Sequence, residues 1–168
     1  NKHYLNTNPY LKKKFTRIKK NNFLKSKIVL DLGCGWGSSS ILLSNYSKKL
    51  YAIDISEKSI KGAKQNLKFF SKKKIMIERM DAERLNFKNN FFDYVYSWGV
   101  IHHSNNPNKI FKNIFRVLKK DGKLFFMIYN KFSLRYYCLG LYYLFFRLKI
   151  LAGYTLDSVQ KFFTDGYY

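Results

Sequence analysis

Three glycines at alternate positions, Gly33, Gly35 and Gly37, follow a short apolar run that contains Asp31. Glycine lets the backbone turn tightly and approach a ligand, and the amides of a following helix would point at that ligand. The G-x-G-x-G spacing differs from the G-x-G-x-x-G of dinucleotide-binding loops, and no Lys-Ser or Lys-Thr pair follows as in a P-loop. A carboxylate just before the glycines repels a pyrophosphate and favours a ligand that carries positive charge. The alternative is that Asp31 only caps the loop.

Further polar residues end the apolar runs that come later in the chain. Asp54 stands about twenty residues after the loop, where an acid can accept hydrogen bonds from two ribose hydroxyls. Its alternative role is to cap the helix that begins near Ser56. Asp81 and Ala82 end the next run, where a carboxylate can accept from an adenine amino group and an amide can donate to a ring nitrogen; taken alone, Asp81 is an ordinary turn residue. Ser97 ends the fourth run.

Two adjacent histidines, His102 and His103, follow the fourth run. Adjacent residues do not have the spacing of metal ligands, and no Cys, Asp or Glu cluster accompanies them, so we expect no metal. One of them is a candidate general base, while the other orients the loop. The alternative, that both are structural loop residues, is at least as well supported by the sequence.

Strand and helix patterns alternate along the chain and place these residues at strand ends. We predict strands at residues 28–32, 50–54, 75–80, 92–97 and 124–129 from short apolar runs. We predict helices at residues 38–46, after Ser56, and from Asn106-Pro107 to Asp121-Gly122. This alternation predicts an α/β fold, a doubly wound and mostly parallel sheet with helices on both faces. Ligands of such sheets bind beyond the carboxyl ends of the strands.

The length of 168 residues fits a single domain. Within it, we expect a helical segment at residues 1–26, a core at residues 27–130, and an aromatic helix with an acceptor-side segment at residues 131–168. No run reaches the roughly 20 apolar residues of a membrane span, and the start lacks the pattern of a secretion signal. The two cysteines, Cys34 and Cys138, form no disulfide framework, so we expect a reducing, cytoplasmic setting.

The formal net charge of +22 suggests nucleic acid as a partner, because basic surfaces release counterions on binding phosphates. However, lysine outnumbers arginine 26 to 6, and the lysines are spread along the chain. Arginine is the preferred residue for bidentate phosphate and base contacts. We therefore favour a solvated surface with a compositional bias, and we keep as the alternative a nucleic-acid-associated protein, either an enzyme acting on RNA or a non-catalytic binding module.

The blocks at residues 29–37, 51–56, 81–85, 92–103 and 116–124 resemble those of class I S-adenosylmethionine-dependent methyltransferases, in the order of that family. The similarity extends over residues 28–130 and is greatest to the small-molecule branch, which includes enzymes of quinone biosynthesis. The resemblance implies transfer of a methyl group from S-adenosyl-L-methionine to a small acceptor by in-line displacement. It assigns contacts with the methionine end to Asp31 and the loop residues Gly33, Cys34, Gly35, Trp36 and Gly37. It assigns the ribose to Asp54 with Ile55, the adenine to Asp81 and Ala82, and the side near the acceptor to Ser97, Trp98 and Gly99.

The sequence departs from the family pattern in three places. Lys120 stands where proline is usual, and Ser104-Asn105-Asn106-Pro107 replaces a threonine-proline-acid run. We expect neither change to touch the cofactor contacts. Family members normally continue into two more strands, so we expect a domain truncated before them, with part of the acceptor site absent. The aromatic segment 134–151 is then a candidate cover for the acceptor or a peripheral contact with a membrane surface; its alternative is a helix packed on the sheet.

Overall fold

The computed structural model describes residues 23–70 and 75–128, together with positions 137, 138, 141, 142, 145, 153 and 155. The chain divides into two compact units, Asn1–Ile128 and Tyr129–Tyr168. The helix predicted within residues 1–26 lies almost entirely outside the described residues. Most of the helix predicted within residues 133–151 also lies outside them, although positions 137, 138, 141, 142 and 145 are helical. No helix among the described residues is long and apolar enough to cross a membrane.

Five strands form one parallel sheet. They are β1 (Ile28–Leu32), β2 (Lys49–Asp54), β3 (Met76–Arg79), β4 (Phe92–Trp98) and β5 (Leu118–Met127). Their order across the sheet is β3-β2-β1-β4-β5. The chain therefore moves in one direction from β1 to β3 and in the other from β4 to β5, so the order reverses between β1 and β4. The predicted doubly wound α/β fold is confirmed.

Three helices connect the strands: α1 (Ser38–Tyr46), α2 (Glu57–Phe70) and α3 (Pro107–Val117). Right-handed crossovers place helices on opposite faces of a sheet when the chain reverses its direction of travel. Accordingly, α1 and α2 contribute to two core clusters and α3 contributes to a third. The buried side chains of α2, namely Ile60, Ala63 and Leu67, recur at the helical spacing seen in the sequence.

Side-chain caps begin two of these helices as the sequence predicts. The Asn106 side chain accepts a hydrogen bond from the Lys109 amide at 3.1 Å, and Pro107 occupies the first turn of α3. The Ser56 hydroxyl accepts from the Ser59 amide at 3.2 Å and caps α2. Each cap satisfies an amide that has no partner within its helix, so the start of each helix is fixed locally.

The predicted end of α3 is wrong. The sequence suggested that the helix runs to Asp121-Gly122, whereas α3 ends at Val117 and β5 already begins at Leu118. Leu118 pairs with Phe92, and Lys123 pairs with Tyr94, so the residues between them form an irregularity in the strand. A bulge of this kind keeps Leu118 buried, and the Asp-Gly pair turns within a strand rather than ending a helix.

The connection between β3 and β4 contains a short 3-10 helix, Ala82–Arg84. The Arg116 guanidinium of α3 donates to the carbonyl oxygens of Leu85 at 2.5 Å and Phe87 at 2.7 Å. Because one planar group bonds both carbonyls, it fixes a segment that has little regular structure of its own. Arg116 therefore sets the path of the chain between the third and fourth strands.

Candidate active site

A cleft of about 390 Å³ lies beyond the carboxyl ends of the strands, next to the point where the strand order reverses. This is where doubly wound sheets bind ligands. The lining comes from the ends of β1, β2 and β3, the 3-10 helix, and the segment after β4. Its residues are Gly33, Ile53, Asp54, Ile55, Met80, Asp81, Ala82, Glu83, Val100, His103, Ser104, Asn105 and Ile110.

Asp54 at the end of β2 holds the glycine loop in place. One carboxylate oxygen accepts from the Gly35 amide at 2.9 Å, and the other accepts from the Ser56 amide at 2.9 Å. A carboxylate offers about four lone-pair positions, so capacity for a ligand's hydroxyls remains. The sequence left two roles open for Asp54, a cap of the following helix and a ligand contact. Ser56 caps that helix, and Asp54 bonds to the Ser56 amide and keeps capacity for a ligand.

The glycine amides are largely engaged inside the protein. The amides of Gly33 and Cys34 both donate to the Ile53 carbonyl, at 2.8 and 2.9 Å, and the Gly37 amide donates to the Cys34 carbonyl at 2.9 Å. At Gly33 φ is +76°, and a Cβ there would lie 2.1 Å from a methyl carbon of Val100. The glycine is required by this close approach and by its left-handed backbone.

Asp31 lies in β1 beneath the loop and is almost completely buried. Its carboxylate accepts a hydrogen bond of 2.5 Å from the buried Ser40 hydroxyl of α1. Burial raises the pKa of Asp31 to about 7, the hydrogen bond from Ser40 partly opposes this, and the nearby charge of Asp54 adds to it. No lysine or arginine of the described residues pairs with Asp31, so its negative charge is left without a cation.

Asp81 follows β3 and starts the 3-10 helix. One of its oxygens accepts from the Glu83 amide at 2.8 Å, and the side chains of Asp81 and Ala82 both line the cleft. Asp81 is thus a turn residue, which is the alternative that the sequence allowed, and it also lines the space where a ligand would lie.

Glu83 and Ser104 line the cleft too, although sequence reasoning did not select them. The Ser104 hydroxyl donates to the Glu83 carboxylate at 2.6 Å, and Lys109 lies 3.7 Å from the same carboxylate. The hydrogen bond from Ser104 lowers the pKa of Glu83, and the charge of Lys109 adds to this effect. Ser104 and Asn105, two residues of the Ser104–Pro107 departure from the family pattern, form part of the lining. The expectation that this departure does not touch the cofactor contacts stays a prediction.

Of the loop residues selected from the sequence, Gly33 lines this cleft, whereas Cys34, Gly35, Trp36 and Gly37 do not. The Cys34 side chain is buried in a core cluster with Ile41 and Ala63, and burial strongly raises the pKa of its thiol. The Trp36 ring packs against Gly62 of α2 and remains 55% exposed. The Trp36 carbonyl also accepts from the Asn66 side chain at 2.9 Å, which ties the loop to that helix.

The end of β4 lies outside the lining as well. Trp98 stacks on Phe125 with ring centroids 6.2 Å apart, and the Gly99 amide donates to the Met127 carbonyl at 3.0 Å. Ser97 is fully buried, and its hydroxyl has no hydrogen-bond partner among the described residues.

The structure separates the two histidines. His103 is exposed and lines the cleft, whereas the ring nitrogens of His102 are buried. Their ring centroids lie 4.1 Å apart. Of the pair, only His103 therefore presents its ring to the space where a reaction would occur. No group of three or more His, Cys, Asp or Glu side chains that could hold a metal ion occurs in the described parts of the chain.

The cleft is acidic, although the protein as a whole is strongly basic. Three carboxylates line it, those of Asp54, Asp81 and Glu83, and the lining contains no lysine or arginine. The buried Asp31 adds a fourth acidic group close by. Such a site repels phosphate groups and favours a ligand with positive charge and hydroxyl donors.

The fold and this acidic site define a doubly wound α/β protein with a candidate ligand site at the switch in strand order, and comparison with known proteins identifies its family. Residues 30–126 match the methyltransferase domain family, and the chain belongs to it. Ubiquinone biosynthesis O-methyltransferase of Coxiella burnetii is 32% identical over 108 residues, which are 64% of this chain and 46% of that protein. The tRNA U34 carboxymethyltransferase of Aliarcobacter butzleri is 30% identical over 102 residues, which are 60% of this chain and 33% of that protein.

Solved structures agree with this assignment. A SAM-dependent methyltransferase from Methanosarcina mazei is 26% identical and superposes with a TM-score of 0.58, covering 65% of this chain and 55% of that one. The resemblance to class I S-adenosylmethionine-dependent methyltransferases is thereby confirmed, and S-adenosylmethionine is the methyl donor of the family. The chain spans about half the length, or less, of the curated relatives that it matches.

Proposed function

We propose that this chain is the cofactor-binding part of an enzyme that transfers a methyl group from S-adenosylmethionine to a small-molecule acceptor. The acidic cleft without lysine or arginine carries this proposal, because it suits a ligand with an ammonium and a sulfonium group and no phosphates. The similarity to an enzyme of ubiquinone biosynthesis supports a small acceptor. The residues present fit the donor: Asp31 for the ammonium end, Asp54 for the ribose hydroxyls, and Asp81 with Ala82 for the adenine.

The donor supplies an activated methyl group, so little covalent chemistry is asked of the protein. What the chain contributes is orientation, by rigid backbone at Gly33 and by carboxylates that are themselves held by hydrogen bonds. For the remaining loop residues, and for Ile55 and Ser97-Trp98-Gly99, the proposed contacts rest on the family resemblance. Of these, Ile55 lines the cleft.

A proton acceptor is needed only if the acceptor atom must lose a proton as it is methylated. We propose His103 for this role, since it lines the cleft, and we propose that His102 supports the loop. His103→Gln is expected to leave the affinity for S-adenosylmethionine within about twofold, because a group that acts on the acceptor does not hold the donor. Calorimetric titration measures this, and a tenfold loss would place His103 in the donor site.

The acceptor side is proposed to involve residues 131–168, beyond a core at residues 27–130. Four described apolar side chains of that segment are exposed, those of Tyr137, Leu141, Tyr142 and Phe145. Exposed apolar side chains of this kind are suited to cover an apolar acceptor or to lie on a membrane surface. The buried, unpaired Cys34 and the unpaired Cys138 support the cytoplasm as the proposed location.

A direct titration tests the proposal. The full chain is titrated with S-adenosylmethionine, S-adenosylhomocysteine and NAD, and we expect binding of the first two only. Asp54→Ala is expected to weaken S-adenosylmethionine binding by about tenfold or more, since hydrogen bonds to a charged group contribute about 1.5–3 kcal/mol. Failure of the full-length protein to bind either adenosyl compound would refute the proposal, and unchanged affinity in Asp54→Ala would refute the ribose assignment.

Methylation of RNA is the second candidate function, and two observations favour it. The net charge is +22, and four lysines of α2 are exposed, namely Lys58, Lys61, Lys64 and Lys68. A tRNA carboxymethyltransferase is also among the relatives. Because binding through phosphates weakens steeply with salt, filter retention of RNA should fall as salt is raised if this candidate is correct. Failure to retain RNA even at low salt would exclude it.

A further inference from the structure

The cleft has two walls that come from separate parts of the chain, and a hydrogen bond between two side chains joins them. One wall is the 3-10 helix after β3, which carries Asp81 and Glu83. The other is the segment after β4, which carries His103 and Ser104. The Ser104 hydroxyl donates to the Glu83 carboxylate at 2.6 Å across this gap. Residues 21 positions apart in sequence are thus bonded directly at the edge of the cleft.

Each partner in this contact makes further hydrogen bonds, and one of those made by Glu83 is with α3. The Ser104 hydroxyl also accepts from the Asn106 amide at 2.9 Å, next to the cap of α3. The Glu83 amide donates to Asp81, and the Glu83 carbonyl accepts from the Asn113 side chain of α3 at 2.9 Å. Ser104 is therefore connected through Glu83 to the turn that carries Asp81 and Ala82.

The contact is stronger than an ordinary hydroxyl hydrogen bond. The hydrogen bond from Ser104 lowers the pKa of Glu83, so Glu83 is ionised at neutral pH. A hydrogen bond to an ionised carboxylate is short and roughly twice as strong as one between neutral groups. Loops at a binding site are mobile unless other contacts hold them in place. A small displacement of a binding residue loses much of the rate gain that comes from orienting the ligand correctly.

We propose that Glu83 and Ser104 form a clamp that holds the two walls of the cleft at a fixed separation, so that Asp81 and Ala82 keep their position against the bound ligand. Both are positioning residues, and the proposal that the ligand is S-adenosylmethionine is the one made above. The clamp acts on the nucleoside side of the cleft, because the 3-10 helix that it fixes carries the residues assigned to the adenine.

Ser104→Ala tests the clamp with two probes, adenosine and S-adenosylmethionine. We expect calorimetry on the full chain to show about a tenfold loss of affinity for both, equivalent to about 1.4 kcal/mol. Ser104→Thr keeps the hydroxyl and is expected to bind within about twofold of the wild type. Ser44→Ala is the matched control, since that buried hydroxyl of α1 bonds to the Ile41 carbonyl without bridging two walls, and it is expected to change affinity less than twofold.

Hydrogen exchange in the free protein tests the same clamp independently of any ligand. In Ser104→Ala, we expect exchange to accelerate about tenfold at the amide of Ser104 and also at the amide of Glu83 in the opposite wall. Acceleration confined to residues 103–106 would show a local role for Ser104 and would overturn the clamp. Unchanged adenosine affinity in Ser104→Ala, or a Thr variant as weak as the Ala variant, would overturn it too. If the wild type binds no adenosyl compound, the proposed function is refuted. Hydrogen exchange at the amides of Ser104 and Glu83 still decides whether the two walls of the cleft are held together by the clamp.

Discussion

Two carboxylates at opposite ends of the sheet have opposite surroundings. Asp93, near the start of β4, accepts from the Ile28 amide at 2.8 Å and from the Lys119 ammonium at 2.9 Å. Among the described residues, Asp31, near the end of β1, accepts a hydrogen bond only from the Ser40 hydroxyl. Partial burial would raise the pKa of Asp93, but its hydrogen bonds with Ile28 and Lys119 and the charges of nearby lysines outweigh this and lower it. Burial raises the pKa of Asp31 to about 7.

The difference separates a stabilising carboxylate from one suited to a ligand. Asp93 joins β1 to β4 and has its cation within the protein, so it contributes to stability. Asp31 is buried at a cost and has no cation among the described residues, so a positively charged ligand would compensate it. In a chain with a net charge of +22, the absence of a lysine beside Asp31 is informative, because lysines are plentiful elsewhere.

The largest expected effect is that of Asp31→Asn on donor binding. The change keeps the shape of the side chain and an acceptor for Ser40, but it removes the charge. We expect the affinity for S-adenosylmethionine to fall by about a hundredfold, since charged hydrogen bonds contribute about 1.5–3 kcal/mol each. Calorimetric titration measures the loss. Asp93→Asn, the same substitution at the other end of the sheet, should keep its affinity for S-adenosylmethionine within about twofold of the wild type. Equal losses of affinity in both variants would show that the two carboxylates do not differ in ligand binding.

Asp93→Ala should lower the stability of the protein rather than its affinity for the donor. The variant leaves the Ile28 amide and Lys119 without their shared acceptor, so we expect the free energy of unfolding to fall by about 2 kcal/mol. Denaturant unfolding followed by circular dichroism measures this change. An unchanged unfolding midpoint would mean that Asp93 is not the stabilising member of the pair.

The pH dependence of stability should differ in sign between the two groups. The folded pKa of Asp31, about 7, exceeds its usual value of 3.8, so its contribution is greatest below pH 3.8 and is lost as the pH rises towards 7. Asp93, whose folded pKa is lowered, contributes above pH 3.8 and loses that contribution as the pH falls through its folded pKa. Between pH 5 and 7, the free energy of unfolding of the wild type, relative to that of Asp31→Asn, should therefore fall by about 1.4 kcal/mol per pH unit. A flat difference would show that Asp31 titrates normally.

The smallest effect is expected for Ser40→Ala, which removes the one hydrogen bond that Asp31 receives. Leaving the buried carboxyl without its donor should cost about 1 kcal/mol at neutral pH and move the pKa of Asp31 above 7. Carbon-13 NMR of the Asp31 carboxyl reports that pKa directly. Ser44→Ala is the control, because that equally buried hydroxyl of α1 bonds to the Ile41 carbonyl instead. A similar pKa in both serine variants would contradict the role given to Ser40.

Most of the framework was predictable from the sequence. The helix at residues 38–46 was predicted with the bounds that are observed, and the strand ends at Asp54 and Asp81 lie together at one edge of the sheet. These features follow from local patterns, namely apolar runs, capping residues and glycines at positions where the backbone conformation requires glycine. The end of α3 was not predictable in this way, because the pairing of Leu118 with Phe92 depends on a distant strand.

The sequence by itself determined the order of the elements, the glycine loop and the acids that end successive strands, because each is encoded by neighbouring residues. Only the tertiary structure decided which of them share the cleft. It separated His103 from His102, placed the Cys34 side chain in the core, and brought Ser104 against Glu83. It also left Asp31 without a cation. Such contacts join residues that are far apart in sequence, and a short-range pattern carries no information about which distant side chain completes them.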